Sequence, residues 1–431
     1  MPFSAGPGRR VAIVAGVRTP FARAGTALSH LTAIDLARAA VAELVQRTNL
    51  DGSAVDLVVF GSVVQAVTAP NLAREVSLLP HFPKTVQAYT VGRACASANQ
   101  AITDAADQIM LGHADVAIAG GAESLSQVPI LHSRGMSDVL VAAAKAKSIT
   151  QRVAALAKLR PKDFVPITPA ISEPSTGETM GQSADTMAKL NGITREAQDR
   201  FALRSHLRAA TGTADGRLTA EIVPLATPPA YAMLAHDNGV RSDSTFEQLS
   251  ALRPVFDRGY GTVTAGNASP LSDGGAAVLL MSEERARVLG YTPMAFIRSY
   301  AYAAVDPGEQ LLQAPVIAVP IALKRAGLRL TDIDLVEMHE AFAAQVLSNM
   351  QGLASTEWAA RAGFDTATGD IDPERLNVMG GSLSIGHPFG ATGARVLTTL
   401  CNEMTRRGVQ FGMLTVCAAG GMGHAMIVER A

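Results

Sequence analysis

Short runs of consecutive apolar residues recur along the chain, separated by stretches in which apolar positions return every three or four residues. Val11-Ala-Ile-Val-Ala-Gly, Asp56-Leu-Val-Val-Phe-Gly and Ala114-Asp-Val-Ala-Ile-Ala-Gly-Gly each carry four to six such residues without alternation. Runs of this length without a polar face are strands buried on both sides. Between them, Ala33 to Val45 is rich in Ala and Leu with polar residues on one side, which predicts a helix. Strand and helix alternate, so the pattern predicts an α/β fold with a covered, largely parallel sheet.

The same grammar returns in the second half. Pro293-Met-Ala-Phe-Ile-Arg echoes the first strand, Ile333-Asp-Leu-Val-Glu-Met echoes Val55-Asp-Leu-Val-Val-Phe, and Met413-Leu-Thr-Val-Cys-Ala-Ala-Gly-Gly echoes Asp115-Val-Ala-Ile-Ala-Gly-Gly, in the same order. Internal duplication explains this economically, the other reading being chance likeness among Val- and Ala-rich strands. From about Ser133 to Arg253 the chain turns to charged, Pro and polar residues, with helical stretches at Met180 to Leu190 and Thr194 to Ala210. Ala276-Ala-Val-Leu-Leu-Met then reads as a strand rejoining the first sheet. The expected organisation is a first half over 1–132, an inserted helical domain over 133–253, a return over 254–290 and a second half over 291–431.

The chain is 431 residues long, 48% apolar and 17% charged, which excludes a disordered chain. With 37 basic and 38 acidic residues the net charge is -1, so no overall basic field points to nucleic acid. Three cysteines, Cys95, Cys401 and Cys417, are too few and too scattered for a disulfide framework or a zinc site, and no metal is expected. Reduced thiols, no spanning run and no apolar core before Val11 lead to the expectation of a cytoplasmic protein without a signal peptide.

Cys95 precedes a helical stretch reaching about Met110. A thiol at a helix start faces partly positive N–H groups, which would lower its pKa and make it a nucleophile; the alternative is a small core residue. His387 sits in the glycine-rich run Gly380-Gly-Ser-Leu-Ser-Ile-Gly-His-Pro-Phe-Gly-Ala-Thr-Gly, where a turn histidine could also serve only local hydrogen bonds. Cys417 ends a strand and is followed by Ala418-Ala-Gly-Gly-Met-Gly. His339-Glu340-Ala-Phe follows another strand, and Ala343 stands where a zinc-binding HExxH would need its second histidine. All four groups fall at the carboxyl ends of strands or the helix starts beyond, where α/β sheets place ligands. No P-loop, dinucleotide fingerprint or GxSxG spacing is present.

These segments, in this order from about Val11 to Glu429, resemble the thiolase family. Within it, the His339-Glu-Ala-Phe version, Cys417-Ala-Ala-Gly-Gly and Ser172-Glu-Pro-Ser-Thr-Gly-Glu-Thr-Met-Gly are similar to the branch of β-subunits of the fatty-acid β-oxidation trifunctional complex and its bacterial relatives. Most other thiolases carry Asn where this chain has His339. The resemblance implies duplicated βαβαβαββ halves with an inserted loop domain, and a 3-ketoacyl-CoA thiolase (acetyl-CoA C-acyltransferase) using CoA as substrate with no permanently bound cofactor. It implies that Cys95 is acylated, that His387 activates it, and that Cys417 protonates the leaving carbon and later deprotonates CoA. His339 would join His387 or a water in stabilising the thioester enolate, the backbone amides of Cys95 and Ala419 would hold the tetrahedral oxyanion, and Ser269 and Arg241 would contact CoA. Ala419 replaces a glycine of many relatives.

The resemblance further implies a homodimeric core and a hydratase/dehydrogenase α-subunit as partner. The insert from Asp138 to Asp163, with Lys145, Lys147, Arg152, Lys158, Arg160 and Lys162 and no interior acid, predicts one basic amphipathic helix or two with a turn. Such a helix can meet a partner or a bilayer surface, or can pack its apolar face on its own domain. Competing readings are an acetyl-CoA acetyltransferase working in the condensing direction, a decarboxylating ketoacyl synthase, which lacks a second catalytic thiol, and a non-catalytic acyl-CoA-binding scaffold.

Overall fold

The computed structural model describes residues 9–167 and 172–431. Most of the leader segment on which the absence of a signal peptide was read, residues 1–8, therefore lies outside the described residues. Twelve strands are present among them: β1 (Val11–Arg18), β2 (Ala22–Arg23), β3 (Leu57–Gly61), β4 (Gln87–Val91), β5 (Val116–Ser124), β6 (Leu225–Thr227), β7 (Ala232–Leu234), β8 (Ser272–Ser282), β9 (Ala295–Ala304), β10 (Leu335–Met338), β11 (Phe411–Ala418) and β12 (Met422–Arg430).

Ten of them form one sheet in the order β10-β11-β12-β9-β1-β8-β5-β3-β4, with β2 beside β8. Read outward from the central β1–β9 pair, the order β1-β8-β5-β3 on one side matches β9-β12-β11-β10 on the other. The three echoes seen in the sequence thus occupy equivalent places, and the wholly buried β8 finds its counterpart in β12. Only β3–β4, β3–β5 and β10–β11 are parallel, whereas β1–β8, β5–β8, β1–β9, β9–β12 and β11–β12 are antiparallel. The expectation of a largely parallel sheet is therefore corrected to a mixed one. A strand buried on both faces reads as a continuous apolar run whatever the direction of its neighbour, so the pattern carried burial but not polarity.

Residues of alternating parity along each strand feed two faces. On one face Val59, Ala117, Ala119 and Val278 pack with Leu335, Leu414 and Met426 around two helices, Ser97–Met110 and Thr392–Arg407. On the other, Val58, Phe60, Ile118 and Leu279 pack on the helix Ala33–Thr48, and Met413, Ala425 and Ile427 on the helix Pro315–Ala326. The two central helices are each preceded by a loop bearing one of the singled-out residues, Cys95 or His387. Burying both helices between the halves therefore brings those loops to one end of the sheet. Cys401, on the second helix, is fully buried in this core.

The middle of the chain is mainly helical: Arg134–Lys145, Ile149–Leu156, Met180–Leu190 and the long Arg195–Ala214, with the small β6–β7 ladder as its only named strand pair among the described residues. The Asp138 to Asp163 insert forms two helices with a turn. Its apolar residues do not fold back, since Ile149 is 82% and Val153 60% exposed.

Candidate active site

Cys95 stands two residues before the helix Ser97–Met110, after Ala94, whose φ of 43° turns the chain sharply into the helix. Cys417 lies near the end of β11, and Ala418, Ala419, Gly420 and Gly421 form the reversal into β12. The left-handed conformations fall on Gly420 (φ 82°) and Gly421 (φ 68°), so alanine at 419 is accommodated without strain. The Gly420 amide donates to Glu173 Oε2 at 2.8 Å, pinning this turn to the Ser172 segment.

His387 follows Gly386, whose φ of 116° no other residue adopts readily and where a Cβ would come within 2.7 Å of Ser272 Oγ. The His387 amide donates to the same Ser272 hydroxyl at 3.1 Å, fixing the loop to β8. Its ring Nδ1 is 2.7 Å from Thr392 Oγ1, and that hydroxyl lies 3.0 Å from the Pro388 carbonyl. His339 follows β10, its amide donating to the Thr415 carbonyl on β11 at 2.9 Å. Its Nδ1 is 2.9 Å from Ser382 Oγ. The two imidazoles lie with ring centres 4.1 Å apart, and Cys95 Sγ and one nitrogen of each ring all fall within 4.8 Å of one another. Both Nε2 atoms are buried without a hydrogen-bond partner among the described residues.

A cavity of about 460 Å³ opens onto this cluster. Cys95, His387, Cys417, Ala419 and Ser269 line it, with Met180, Phe256, Leu271, Leu312, Phe342 and Phe389 as apolar walls. His339 is not on the wall but lies behind His387. The Ser269 loop is tied to the His339-Glu-Ala-Phe segment, since the Ser269 amide donates to the Ala341 carbonyl at 2.9 Å and the Ala343 amide to the Asn267 carbonyl at 2.9 Å. Arg241 is not in this cavity. It lines an adjacent one of about 310 Å³ with Arg23, His206, Asp243, Ser244 and Gln248. The Thr264–Ser269 loop runs between the two, with Ala265 and Gly266 facing one and Ala268 and Ser269 the other.

Low polarity governs the protonation states. Burial pushes the Cys95 thiol up to about 12, against smaller lowering contributions from the Ala419 and Cys95 amides that point at it. The expectation that the helix start lowers this pKa is therefore reversed for the resting thiol: desolvation of a thiolate among apolar walls outweighs one helix terminus. Burial raises Cys417 well above the usual range too, and a neighbouring Cys95 thiolate would raise it further. Burial drives His387 down to about 3, with the Arg395 cation adding to it, and holds His339 well below 6.5, with His387 and Arg395 contributing. The resting site is thus two thiols and two neutral imidazoles. Cys95, His339 and His387 come close enough for a metal to be considered.

The sequence pattern brought out the thiols and both histidines, and the family resemblance Ser269 and Ala419, which converge with them, and Arg241, which lies next door. It missed His206 and Arg23 in the second cavity, because a lone histidine within a long helix and an arginine ending the short strand β2 carry no spacing signal. It also missed Ser382, Thr392 and Arg395, although all three lie within or next to the glycine-rich run around His387.

In comparison with known proteins, residues 11–284 match the family description "Thiolase, N-terminal domain" and residues 291–430 "Thiolase, C-terminal domain". The chain is 49% identical over 423 residues to a 3-ketoacyl-CoA thiolase of Colwellia psychrerythraea, covering 98% of this chain and 97% of that one. It is 48% identical over 430 residues to one of Pectobacterium carotovorum, covering 100% and 98%. Among solved structures, human mitochondrial 3-ketoacyl-CoA thiolase superposes with a TM-score of 0.83 at 32% identity, and Bacillus anthracis acetyl-CoA acetyltransferase with 0.84 at 34%. Both superpositions cover 98% of this chain and 99% of the other. Matched along nearly its whole length in sequence and in fold, the chain belongs to the thiolase family.

Proposed function

We propose that the chain cleaves 3-ketoacyl-CoA with CoA to acetyl-CoA and an acyl-CoA two carbons shorter, as a 3-ketoacyl-CoA thiolase of fatty-acid β-oxidation. The observation that carries this is the convergence of two thiols and two neutral imidazoles on one apolar cavity. A decarboxylating synthase has no use for a second thiol placed like Cys417, and a scaffold has no use for either.

The roles follow from the protonation states. As Cys95 Sγ attacks C3 of the substrate, its proton passes to His387 Nε2, and the amides of Cys95 and Ala419 hold the tetrahedral oxygen. Cleavage of the C2–C3 bond leaves its electron pair on the acetyl-CoA enolate, which His339 helps to hold by hydrogen bonding. Cys417 then delivers its proton to C2, releasing acetyl-CoA and leaving an acyl group on Cys95. The Cys417 thiolate takes the proton of incoming CoA, whose sulfur attacks the acyl carbon, and the Cys95 sulfur recovers its proton from His387. Both thiols and both imidazoles thus return to their starting states. High resting thiol pKa values suit this sequence, since neither thiolate exists until a substrate is there to use it. Ser269 contacts the pantetheine arm at the cavity mouth. Arg241, with Arg23 and His206, offers the charge and ring for the nucleotide end in the adjacent cavity. CoA is a substrate, and the chemistry needs no bound cofactor.

The division into 1–132, 133–253, 254–290 and 291–431 is retained as the domain organisation, with the insert covering the CoA sites. The core works as a homodimer in the cytoplasm; no helix among the described residues is long and apolar enough to cross a membrane. The exposed Ile149 and Val153, flanked by unopposed cations, favour docking of the helix pair on a hydratase/dehydrogenase α-subunit, with peripheral membrane contact as the second reading. Reversing Lys145, Lys147, Arg152 and Lys158 to Glu should then abolish co-purification with that subunit while leaving acetoacetyl-CoA thiolysis intact. Loss of anionic-liposome sedimentation alone would select the membrane. The activity itself is tested by incubating the protein with acetoacetyl-CoA and with a long-chain 3-ketoacyl-CoA. CoA-dependent formation of acetyl-CoA supports it, and no turnover of either overturns it.

A further inference from the structure

The neighbours of the two imidazoles differ in a way that fixes where each carries its proton. Thr392 lies in the first turn of its helix, and its hydroxyl proton goes to the Pro388 carbonyl, so His387 Nδ1–H donates to Thr392 Oγ1 and Nε2 is left with a lone pair. Ser382 is set the opposite way. Its oxygen accepts from Arg395 Nη2 at 3.0 Å, and its one remaining neighbour among the described residues is His339 Nδ1 at 2.9 Å. A hydroxyl has one proton, and Ser382 is fully buried, so leaving that proton unpaired would be costly. It therefore points at His339 Nδ1, and the ring proton sits on Nε2.

We propose that Arg395, acting through Ser382, is a positioning pair that locks His339 in the Nε2–H form, giving the site one donor imidazole beside the acceptor imidazole of His387. This deepens the thiolase reading and rests on it. Arg395 suits the task because its guanidinium always offers N–H donors and is 1% exposed, its one hydrogen bond among the described residues going to Ser382, with the Glu337 carboxyl, which burial pushes up to about 8, standing 3.8 Å away. Were Ser382 to turn round and accept from His339, it would face two donors with nowhere for its own proton. The groups facing His339 are the His387 ring, Cys95, Ser382 and the Arg395 guanidinium, with Glu337 and Glu340 beyond; the adjacent cation opposes an imidazolium. His339 is therefore a fixed neutral donor behind His387, placed to hold the enolate oxygen through a bridging water, the role an Asn amide fills without needing its tautomer set.

That last point supplies the test. Removing an oxyanion donor outright costs about 10²–10³ in kcat. Ser382→Ala, which leaves the ring but frees its tautomer, should lower kcat by about tenfold or more with KM for CoA little changed. In a His339→Asn background the same Ser382→Ala change should cost less than about twofold, because the amide does not depend on the hydroxyl. In parallel, ¹⁵N spectra of histidine-labelled full-length protein, with the His339 signal assigned by its loss in His339→Asn, should show the Nε2–H form from pH 6 to 9, and a mixture in Ser382→Ala. An Nδ1–H form in the unmutated protein, or equal loss of kcat in both backgrounds, overturns the proposal. The spectra read the tautomer without turnover, so a protein that fails to cleave 3-ketoacyl-CoA would refute the thiolase reading and leave this assignment to be judged separately.

Discussion

A resting Cys95 thiol held at about 12 beside an imidazole held at about 3 makes a specific demand on alkylation kinetics. Between pH 5 and pH 9 neither group titrates, so the unmutated site stays a neutral thiol–imidazole pair. Attack on iodoacetamide then proceeds with transfer of the thiol proton to His387 Nε2, and the second-order rate should be flat across that range. His387→Ala removes the acceptor and leaves only the thiolate in equilibrium with solvent. A thiol of pKa about 12 is ionised in roughly one part in 10⁵ at pH 7 and one in 10³ at pH 9. The variant should be slow at neutral pH and accelerate about tenfold per pH unit, about a hundredfold from pH 7 to pH 9. The measurement is the initial rate of carbamidomethylation of the Cys95 peptide, followed by mass spectrometry so that Cys401 and Cys417 are counted separately. A step in the unmutated profile with a midpoint between pH 6 and 8 would mean that Cys95 or His387 titrates within that range. A flat profile in His387→Ala would mean that another group takes the proton. Either would refute the reasoning.

Cys417→Ala should still accept an acyl group on Cys95 from an acyl thioester but lose C–C cleavage and condensation by at least the 10²–10⁴ of a general acid, measured by single-turnover labelling beside steady-state thiolysis; equal loss of labelling in Cys95→Ser and Cys417→Ala would sink the division of roles. His339→Asn should keep partial activity and leave the pH dependence of kcat unchanged, because His339 is held well below 6.5 and adds no limb to the profile; a lost limb would show that it titrates. The buried His424 is driven down to about 3 by desolvation, then by Arg93, and both its ring nitrogens are without partners among the described residues. A histidine whose folded pKa is depressed binds its proton preferentially in the unfolded chain, so stability is full above about 6.5 and falls as pH drops below it. From pH 6.5 to 5.5 one such group costs about 1 kcal/mol, so the fall in urea-unfolding free energy over that interval should be shallower in His424→Gln by about that amount, and an unchanged slope would show that His424 protonates in the folded state.

The strands most legible in the sequence were those buried on both faces, β1, β3, β5 and β11, and the helix Met180–Leu190, whose period and cap residues agree. Duplication was legible because equivalent strands kept similar apolar runs; the direction of β8 was not, since burial looks the same from either neighbour. At the site, the order Cys95, His339, His387, Cys417 could be read because each follows a strand end or opens a helix beside glycines or small residues. The resting pKa of Cys95 could not, because a local rule about helix starts competes with an apolar wall made by Met180, Phe256, Phe342 and Phe389, which come from four separate parts of the chain. For the same reason Ser382 and Arg395 gave no signal: they are thirteen residues apart and meet only where one hydroxyl joins them. The basic insert was legible as a helical pair, but that Ile149 and Val153 face outward follows only from where the pair docks.

The central claim is that Cys95 carries the acyl group while Cys417 moves the proton. Mixing enzyme with a long-chain 3-ketoacyl-CoA in the absence of CoA, quenching within one turnover and mapping the peptides tests it directly. One acyl adduct is expected on the Cys95 peptide, with one equivalent of acetyl-CoA released, and none of either in Cys95→Ser. An adduct on Cys417, or acetyl-CoA release without an adduct on Cys95, would contradict it.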